Sequence, residues 1–354
     1  MDSDQLNPGN GENRTVGTKP VDREAVKRLP VIDISAFVEN GPETARAETA
    51  MALREACINT GFFYISGHGI SVGELDRCVE LSHRFFELPA DIKMAYCAKS
   101  MAEPGYIRVG GVNPENADAK TTDLKERFSM DRGAGPAAGS AAGGAHWPSE
   151  TVLPRFSQFL LSHLNKRYEL TGALCRAFAC SLFLPENFFD RYFENTAHAS
   201  LLNYYPLLDE AALANNQWSF APHTDYGAFT ILSQDATGGL QVRNFAGEWI
   251  EVPPIEGTFV INIGDLMSRW TNDLYTSNLH RARNVSGVAR VSIPFFVTPH
   301  PDAIIECLET CTNTDQPPRY PAVRCGDYIR QLVARSNATG KPGISERTSE
   351  RLDT

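Results

Sequence analysis

The spacing of apolar residues changes character part-way along the chain. In the first half it is mainly helical. "ETARAETAMALREACINTG" has apolar positions at helical spacing and stops at Gly61. "SVGELDRCVELSHRFFELP" reads as a second helix, capped by Ser71 and ended before Pro89. A third, long helix is expected from about Pro154 to Leu184. Two strand-like pieces, "LPVIDISAF" and "FFYISGHGI", flank the first of these helices. From Ala199 onward the chain turns to short alternating runs: "SLLNYYP", "GAFTILSQD", "GLQVRNF", "EWIEVPP", "GTFVINIG", "ARNVSG" and "RVSIPFFVTP". Short runs with Gly, Asn and Pro between them predict an antiparallel β sandwich or barrel. A last helix, "CGDYIRQLVARSNATG", follows. The expected organisation is a polar, disordered tail over 1–28, a mainly helical region over 29–190, a β core over 191–302, and a C-terminal helix and tail over 303–354. A Gly/Ala stretch at 132–145 reads as a flexible loop.

Composition narrows the function classes. Of 354 residues 42% are apolar, enough for a large core, and the formal net charge is -10 with no Lys/Arg block. Nucleic acid and anionic membranes are poor partners for such a surface. No apolar run reaches the roughly 18 residues of a membrane span, and the N-terminus lacks a signal-peptide core. The expectation is a cytoplasmic protein with a small-molecule substrate and no obligate protein partner. The eight cysteines include no CxxC pair and read as reduced, core-filling thiols.

The chemistry concentrates in the β region. "APHTDYGAFTIL" places His223 and Asp225 two apart in a strand-like run, so both are expected on one face. His280, in "YTSNLHRARNV", is a third candidate ligand. Two imidazoles and one carboxylate leave open positions on a metal, which suits non-haem Fe(II) binding an organic co-substrate and O2. No cysteine lies near enough to suggest a closed zinc site. In "RVSIPFF", Arg290 and Ser292 repeat the two-residue spacing, and a guanidinium beside a hydroxyl is a carboxylate clamp. Asn203 and Tyr205 in "LLNYYP" form a second polar pair on an apolar strand. Asp265 reads as a turn cap, and His68, His83 and His300 as surface or turn residues. Arg281 and Arg283 read as partners in salt bridges.

With these motifs in order, the chain resembles the isopenicillin N synthase-like branch of the Fe(II)/2-oxoglutarate-dependent dioxygenases. The resemblance runs from about residue 28 to 336. It includes "GFFYISGHGI", "NYYP", "HTDYGAFTILSQDATGGLQV", "VINIGDLMSRWTNDLYTSNLHRA" and "RVSIPFF". It implies an α+β fold, a double-stranded β-helix (jelly roll) core flanked by helices. It also implies His223, Asp225 and His280 as iron ligands, with Arg290 and Ser292 holding 2-oxoglutarate, assisted by Tyr205 and Asn203. The implied reaction oxidises, most simply hydroxylates, a small organic substrate, releasing succinate and CO2. Ascorbate is a candidate stimulant, and secondary metabolism the expected setting. Tyr106, Arg108, Phe128, Phe220, Trp270 and Phe296 are the expected substrate-facing residues.

Within this reading, desaturation, ring closure and ethylene formation are alternatives on the same fold. So is an oxidase that keeps Arg-x-Ser without using 2-oxoglutarate. A non-catalytic jelly-roll binding protein would be expected to lose a ligand or the clamp, and both are present. A zinc hydrolase on the same ligands would have no use for the clamp.

Overall fold

The central strands of the β core are covered on both faces, so they are buried along nearly their whole length instead of alternating. The computed structural model of the chain describes residues 28–98, 105–108, 124–130, 147–207, 219–284 and 286–339. The N-terminal tail up to residue 27 and the Gly/Ala stretch at 132–145 lie outside these. The first elements are β1 (Val31–Asp33), α1 (Ser35–Val38), α2 (Glu43–Asn59), β2 (Phe62–Ser66), α3 (Val72–Phe86) and α4 (Ala90–Met94). Next come β3 (Gly105–Ile107), β4 (Glu126–Met130), α5 (Phe156–Ser181) and α6 (Asp190–Phe193). The core continues with β5 (Ala199–Tyr205), β6 (Phe220–His223), β7 (Phe229–Gln234), β8 (Leu240–Arg243), β9 (Trp249–Glu251) and β10 (Phe259–Ile263). It ends with α7 (Asp265–Trp270), β11 (His280–Ala282), β12 (Arg290–Val297), β13 (Ile304–Ile305), β14 (Val323–Arg324) and α8 (Cys325–Thr339). The expected helix boundaries hold closely. Gly61, at φ +61°, ends α2 where an added Cβ would meet the Thr276 carbonyl oxygen at 1.9 Å. Ser71 Oγ accepts from the Glu74 amide at 3.3 Å at the start of α3.

The major sheet runs β1-β2-β10-β7-β12-β5-β4-β3, and a minor sheet runs β6-β11-β8-β9. Together they form the jelly roll. The N-terminal half is therefore not purely helical: β1 to β4 extend both edges of the major sheet. Of "ARNVSG", Ala282 closes β11 and the other described residues lie outside strands. Asn284 there donates through its side chain to the Tyr205 and Val288 carbonyl oxygens, bracing a loop.

Side-chain parity sorts the major sheet into two faces. Phe63, Ile65, Ile231, Phe259, Ile261, Phe295 and Val297 pack outward with Leu53, Leu174 and Phe178 of α2 and α5. The alternate residues Phe62, Tyr64, Leu232 and Val260 face inward and pack on Leu240 and Val242 of the minor sheet. Strands buried on both faces read as nearly continuous apolar runs, so a polar residue facing inward is conspicuous.

One polar network ties α5 to this sheet. Arg167, fully buried, donates from Nη1 to the Ile293 carbonyl oxygen (2.8 Å) and from Nε to His163 Nε2 (2.9 Å). His163 must then carry its proton on Nδ1, 3.0 Å from Glu74 Oε1. Burial and the adjacent Arg167 charge push His163 down to about 3.

Two turns pack backbone to backbone where the chain crosses from minor to major sheet. The amides of Gly264, Asp265 and Leu266 donate to the carbonyl oxygens of Ala228 (2.9 Å), Asp225 (2.8 Å) and Gly227 (3.1 Å). A Cβ on Gly264 would sit 2.3 Å from the Gly227 carbonyl oxygen. Gly264→Ala should therefore destabilise the protein by about 1–3 kcal/mol, read as a lower denaturant midpoint. An unchanged midpoint would show that the turn can yield. The His163 imidazole binds a proton more readily in the unfolded chain. Stability should thus fall as pH drops from about 6.5 towards 3, and fall less steeply in His163→Gln. Denaturant midpoints between pH 7 and 5 check this.

Candidate metal centre and anion clamp

His223 closes β6, and His280 opens β11 directly across from it in the ladder. This pairing brings the two imidazole centroids to 4.2 Å. Asp225 is not on the strand with His223, as its spacing suggested. β6 ends at His223, and Asp225 lies in the crossing turn whose backbone α7 grips. Convergence thus comes from a strand end and a turn rather than from strand periodicity. Asp225 Oδ1 lies 3.8 Å from His223 Nε2 and 3.7 Å from His280 Nε2. Among the described residues these three are the cluster that could hold a metal, their donor atoms all within 4.8 Å of one another. Donors about 2.1 Å from a shared ion would stand roughly 3 to 3.6 Å apart, so little movement is needed.

The surroundings prepare each donor. His223 Nδ1 lies 2.8 Å from the Ala221 carbonyl oxygen and His280 Nδ1 3.3 Å from that of Asn278. A carbonyl only accepts, so each Nδ1 carries the proton and each Nε2 lone pair faces the cluster. Burial, then the neighbouring His280, holds His223 well below the ordinary imidazole range, leaving it neutral as a ligand must be. Burial opposes charge on Asp225. The two imidazoles and hydrogen bonds from Thr230 and Asn262 outweigh it and keep the carboxyl below its usual value. The Phe220 ring stacks on His223 at 3.8 Å, and the Lys125 ammonium lies 2.7 Å from the Phe220 centroid. Asp265 begins α7, and its Oδ2 accepts from Thr224 at 3.1 Å; burial pushes this carboxyl up to about 7.

Beside the cluster, Arg290 and Ser292 pair across the sheet with Tyr205 and Asn203. Ser292 Oγ lies 3.2 Å from the Tyr205 hydroxyl and 3.4 Å from Asn203 Nδ2. The Arg290 guanidinium, 1% exposed, lies 4.8 Å from the Tyr205 ring centroid and reaches Gln234 only at 3.5 Å. Its Nε and Nη1 find no hydrogen-bond acceptor among the described residues. A buried cation with idle donors is costly unless an anion completes it, and a planar carboxylate fits the fork. This is the observation that fits 2-oxoglutarate to these residues. The clamp and the His-Asp-His cluster line one cavity, partly open to solvent.

Of the expected substrate-facing residues, Phe220 and Phe296 line this cavity. Four do not, which corrects the sequence reading. Phe128 pairs with Leu202, one step off the parity of Asn203, so it turns into the aromatic cluster of Phe85 and Phe156. Tyr106 joins that cluster, and its hydroxyl donates to Glu126 at 2.5 Å. Trp270 ends α7 on the helix side of the sheet, packed on Phe189 and Tyr192. Arg108 is exposed beyond β3. Arg281, expected in a salt bridge, stacks on Trp249 (3.7 Å) and donates to Gln241 (2.7 Å). The sequence reading passed over Thr230, Asn262 and Gln234. Each is polar at an inward position of a strand in the doubly covered sheet, a signal that could have found them.

Comparison with known proteins agrees with this geometry. The family model described as 2OG-Fe(II) oxygenase superfamily matches residues 196–299. The model described as non-haem dioxygenase in morphine synthesis N-terminal matches residues 29–150. A 2-oxoglutarate-Fe(II) type oxidoreductase, ppzC, of Metarhizium rileyi is 35% identical over 353 residues, covering 93% of each chain. A homoarginine-6-hydroxylase of Oryza sativa subsp. japonica is 32% identical, covering 87% of this chain and 97% of its own. The crystal structure of a full-length Neurospora crassa protein in complex with alpha-KG and thymine superposes with a TM-score of 0.77 at 29% identity. The match covers 87% of this chain and 97% of the Neurospora chain. The chain belongs to the 2OG-Fe(II) oxygenase superfamily, as an Fe(II)- and 2-oxoglutarate-dependent oxidoreductase of the isopenicillin N synthase-like type.

Proposed function

We propose that His223, Asp225 and His280 hold Fe(II), that Arg290 and Ser292 hold the far carboxylate of 2-oxoglutarate, and that the enzyme hydroxylates a small organic molecule. The idle, buried guanidinium nitrogens of Arg290 carry this reading: they call for an anion in the cavity that the three ligands face. The loaded metal supplies the oxidation, in which 2-oxoglutarate and O2 become succinate and CO2 while one oxygen atom enters the substrate.

The protein's own residues bind, orient and shield. The His223 and His280 Nδ1–H groups, held by backbone carbonyls, keep both imidazoles aimed at the ion. Arg290, Ser292 and Tyr205 set the distance between the clamp and the metal, and so the pose of the co-substrate. Phe220, Leu232, Leu240, Pro294 and Phe296 give the cavity an apolar wall that limits access of water. A hydroxylation outcome is supported by the hydroxylase among the relatives. The substrate takes the space beside the clamp, against this apolar wall. Secondary metabolism in the cytoplasm is the proposed setting, with no protein or nucleic-acid partner required. Among the described residues no helix is long and apolar enough to cross a membrane.

Anaerobic protein with Fe(II) and 2-oxoglutarate should develop the weak visible charge-transfer band of the chelate, and on admission of O2 should release succinate. His223→Ala should abolish the band; its survival would overturn the ligand assignment. Arg290→Met should bind Fe(II) normally while raising the 2-oxoglutarate concentration at half-saturation at least about 30-fold. That corresponds to roughly 2 kcal/mol or more for a lost charge-assisted pair. Half-saturation that does not move would reassign the clamp.

A further inference from the structure

We propose that Thr230 and Asn262 are positioning residues that hold Asp225 to the metal by one oxygen only, keeping a coordination position open for the co-substrates. The inference rests on the proposal that His223, Asp225 and His280 hold iron.

The two oxygens of Asp225 have different surroundings. Oδ2 accepts from Thr230 Oγ1 at 2.5 Å and from Asn262 Nδ2 at 2.7 Å. Oδ1 is the oxygen that stands within 3.8 Å of both imidazole Nε2 atoms. The two donors are not incidental neighbours: Thr230 on β7 and Asn262 on β10 are opposite each other in the ladder. Each is 2% exposed, so the sheet itself sets where they point. They are also polar at inward positions of the runs "FTILSQ" and "FVINI", where parity alone would admit Val or Leu.

A carboxylate can bind a divalent ion through one oxygen or both. Two imidazoles and one Asp oxygen would leave a bound Fe(II) room for a chelating keto acid and one further ligand. A second Asp oxygen would take that last place. Two strong donors on Oδ2 fix the plane of the carboxylate and occupy the lone pairs that a bidentate mode would need. Together they favour the one-oxygen mode before any co-substrate arrives.

Nitric oxide is a suitable probe of the open position. The protein is loaded anaerobically with Fe(II) and 2-oxoglutarate and titrated with nitric oxide, followed by electron paramagnetic resonance. A Co(II)-loaded sample gives a visible spectrum sensitive to the number of ligand atoms. Thr230→Val, which keeps side-chain shape, and Thr230→Val with Asn262→Ala should still bind the metal within a few-fold. Nitric oxide affinity should fall roughly ten-fold in the double variant, and the Co(II) band should change. Thr230→Ser, which restores the hydroxyl, should return both signals to those of the starting protein. If the double variant does not fold by circular dichroism, Thr230→Val alone carries the test through the same two signals. Unchanged nitric oxide affinity and an unchanged Co(II) spectrum in folded variants would overturn the inference. Failure of the unaltered protein to take up Fe(II) or Co(II) would instead overturn the ligand assignment.

Discussion

The Asp225 carboxylate is 7% exposed and stands between two buried imidazoles, and an isolated anion in such a place costs several kcal/mol. Four groups meet it: Thr230 and Asn262 donate to Oδ2, and the His223 and His280 Nε2 atoms stand beside Oδ1. Each comes from a different strand, β6, β11, β7 and β10, spanning both sheets. The charge on one side chain therefore depends on the two sheets closing over each other in the right register. A slip of one residue in either ladder would turn a donor away and leave the carboxylate uncompensated.

The same logic of closure explains the position of the clamp. β12 presents Arg290, Ser292, Pro294 and Phe296 to the cavity and Val291, Ile293, Phe295 and Val297 to the apolar clusters behind. The cation and the apolar wall of the pocket are thus one strand read at alternate residues. Arg167 grips the Ile293 carbonyl oxygen of that strand from α5, so the helical layer steadies the clamp without touching the cavity. The cost of burying Arg290 without a full set of acceptors is borne by this packing.

The crossing turn at 224–228 is where backbone, rather than side chains, does the positioning. Gly264 lets two turns meet so closely that a Cβ there would collide with the Gly227 carbonyl oxygen, and a Cβ on Gly227 would collide with the Val297 carbonyl oxygen of β12. The amides of Gly264, Asp265 and Leu266 then hold the carbonyl oxygens of residues 225, 227 and 228. Asp225 is aimed by this lattice while His223 is aimed by its strand, which makes their convergence rigid. Asp265, read from sequence as a turn cap, sits at the start of α7 and also accepts from Thr224, beside the ligand turn.

Much was legible in the chain itself. Apolar spacing marked α2, α3, α5 and most strands of the core, because burial against a neighbouring layer forces periods of 3.6 and 2. Residue chemistry marked His223, Asp225, His280, Arg290 and Ser292, since few side chains can bind a metal or fork onto a carboxylate. Tertiary structure alone decided that β1 to β4 join the major sheet, because strand pairing is long-range and short strands carry little local signal. It also decided which aromatics face the cavity. Phe128 and Phe296 look alike in sequence, yet a single step of parity sends one to the helices and the other to the pocket. Above all it decided the roles of Thr230 and Asn262, whose donors have meaning only once β7 and β10 lie side by side over Asp225.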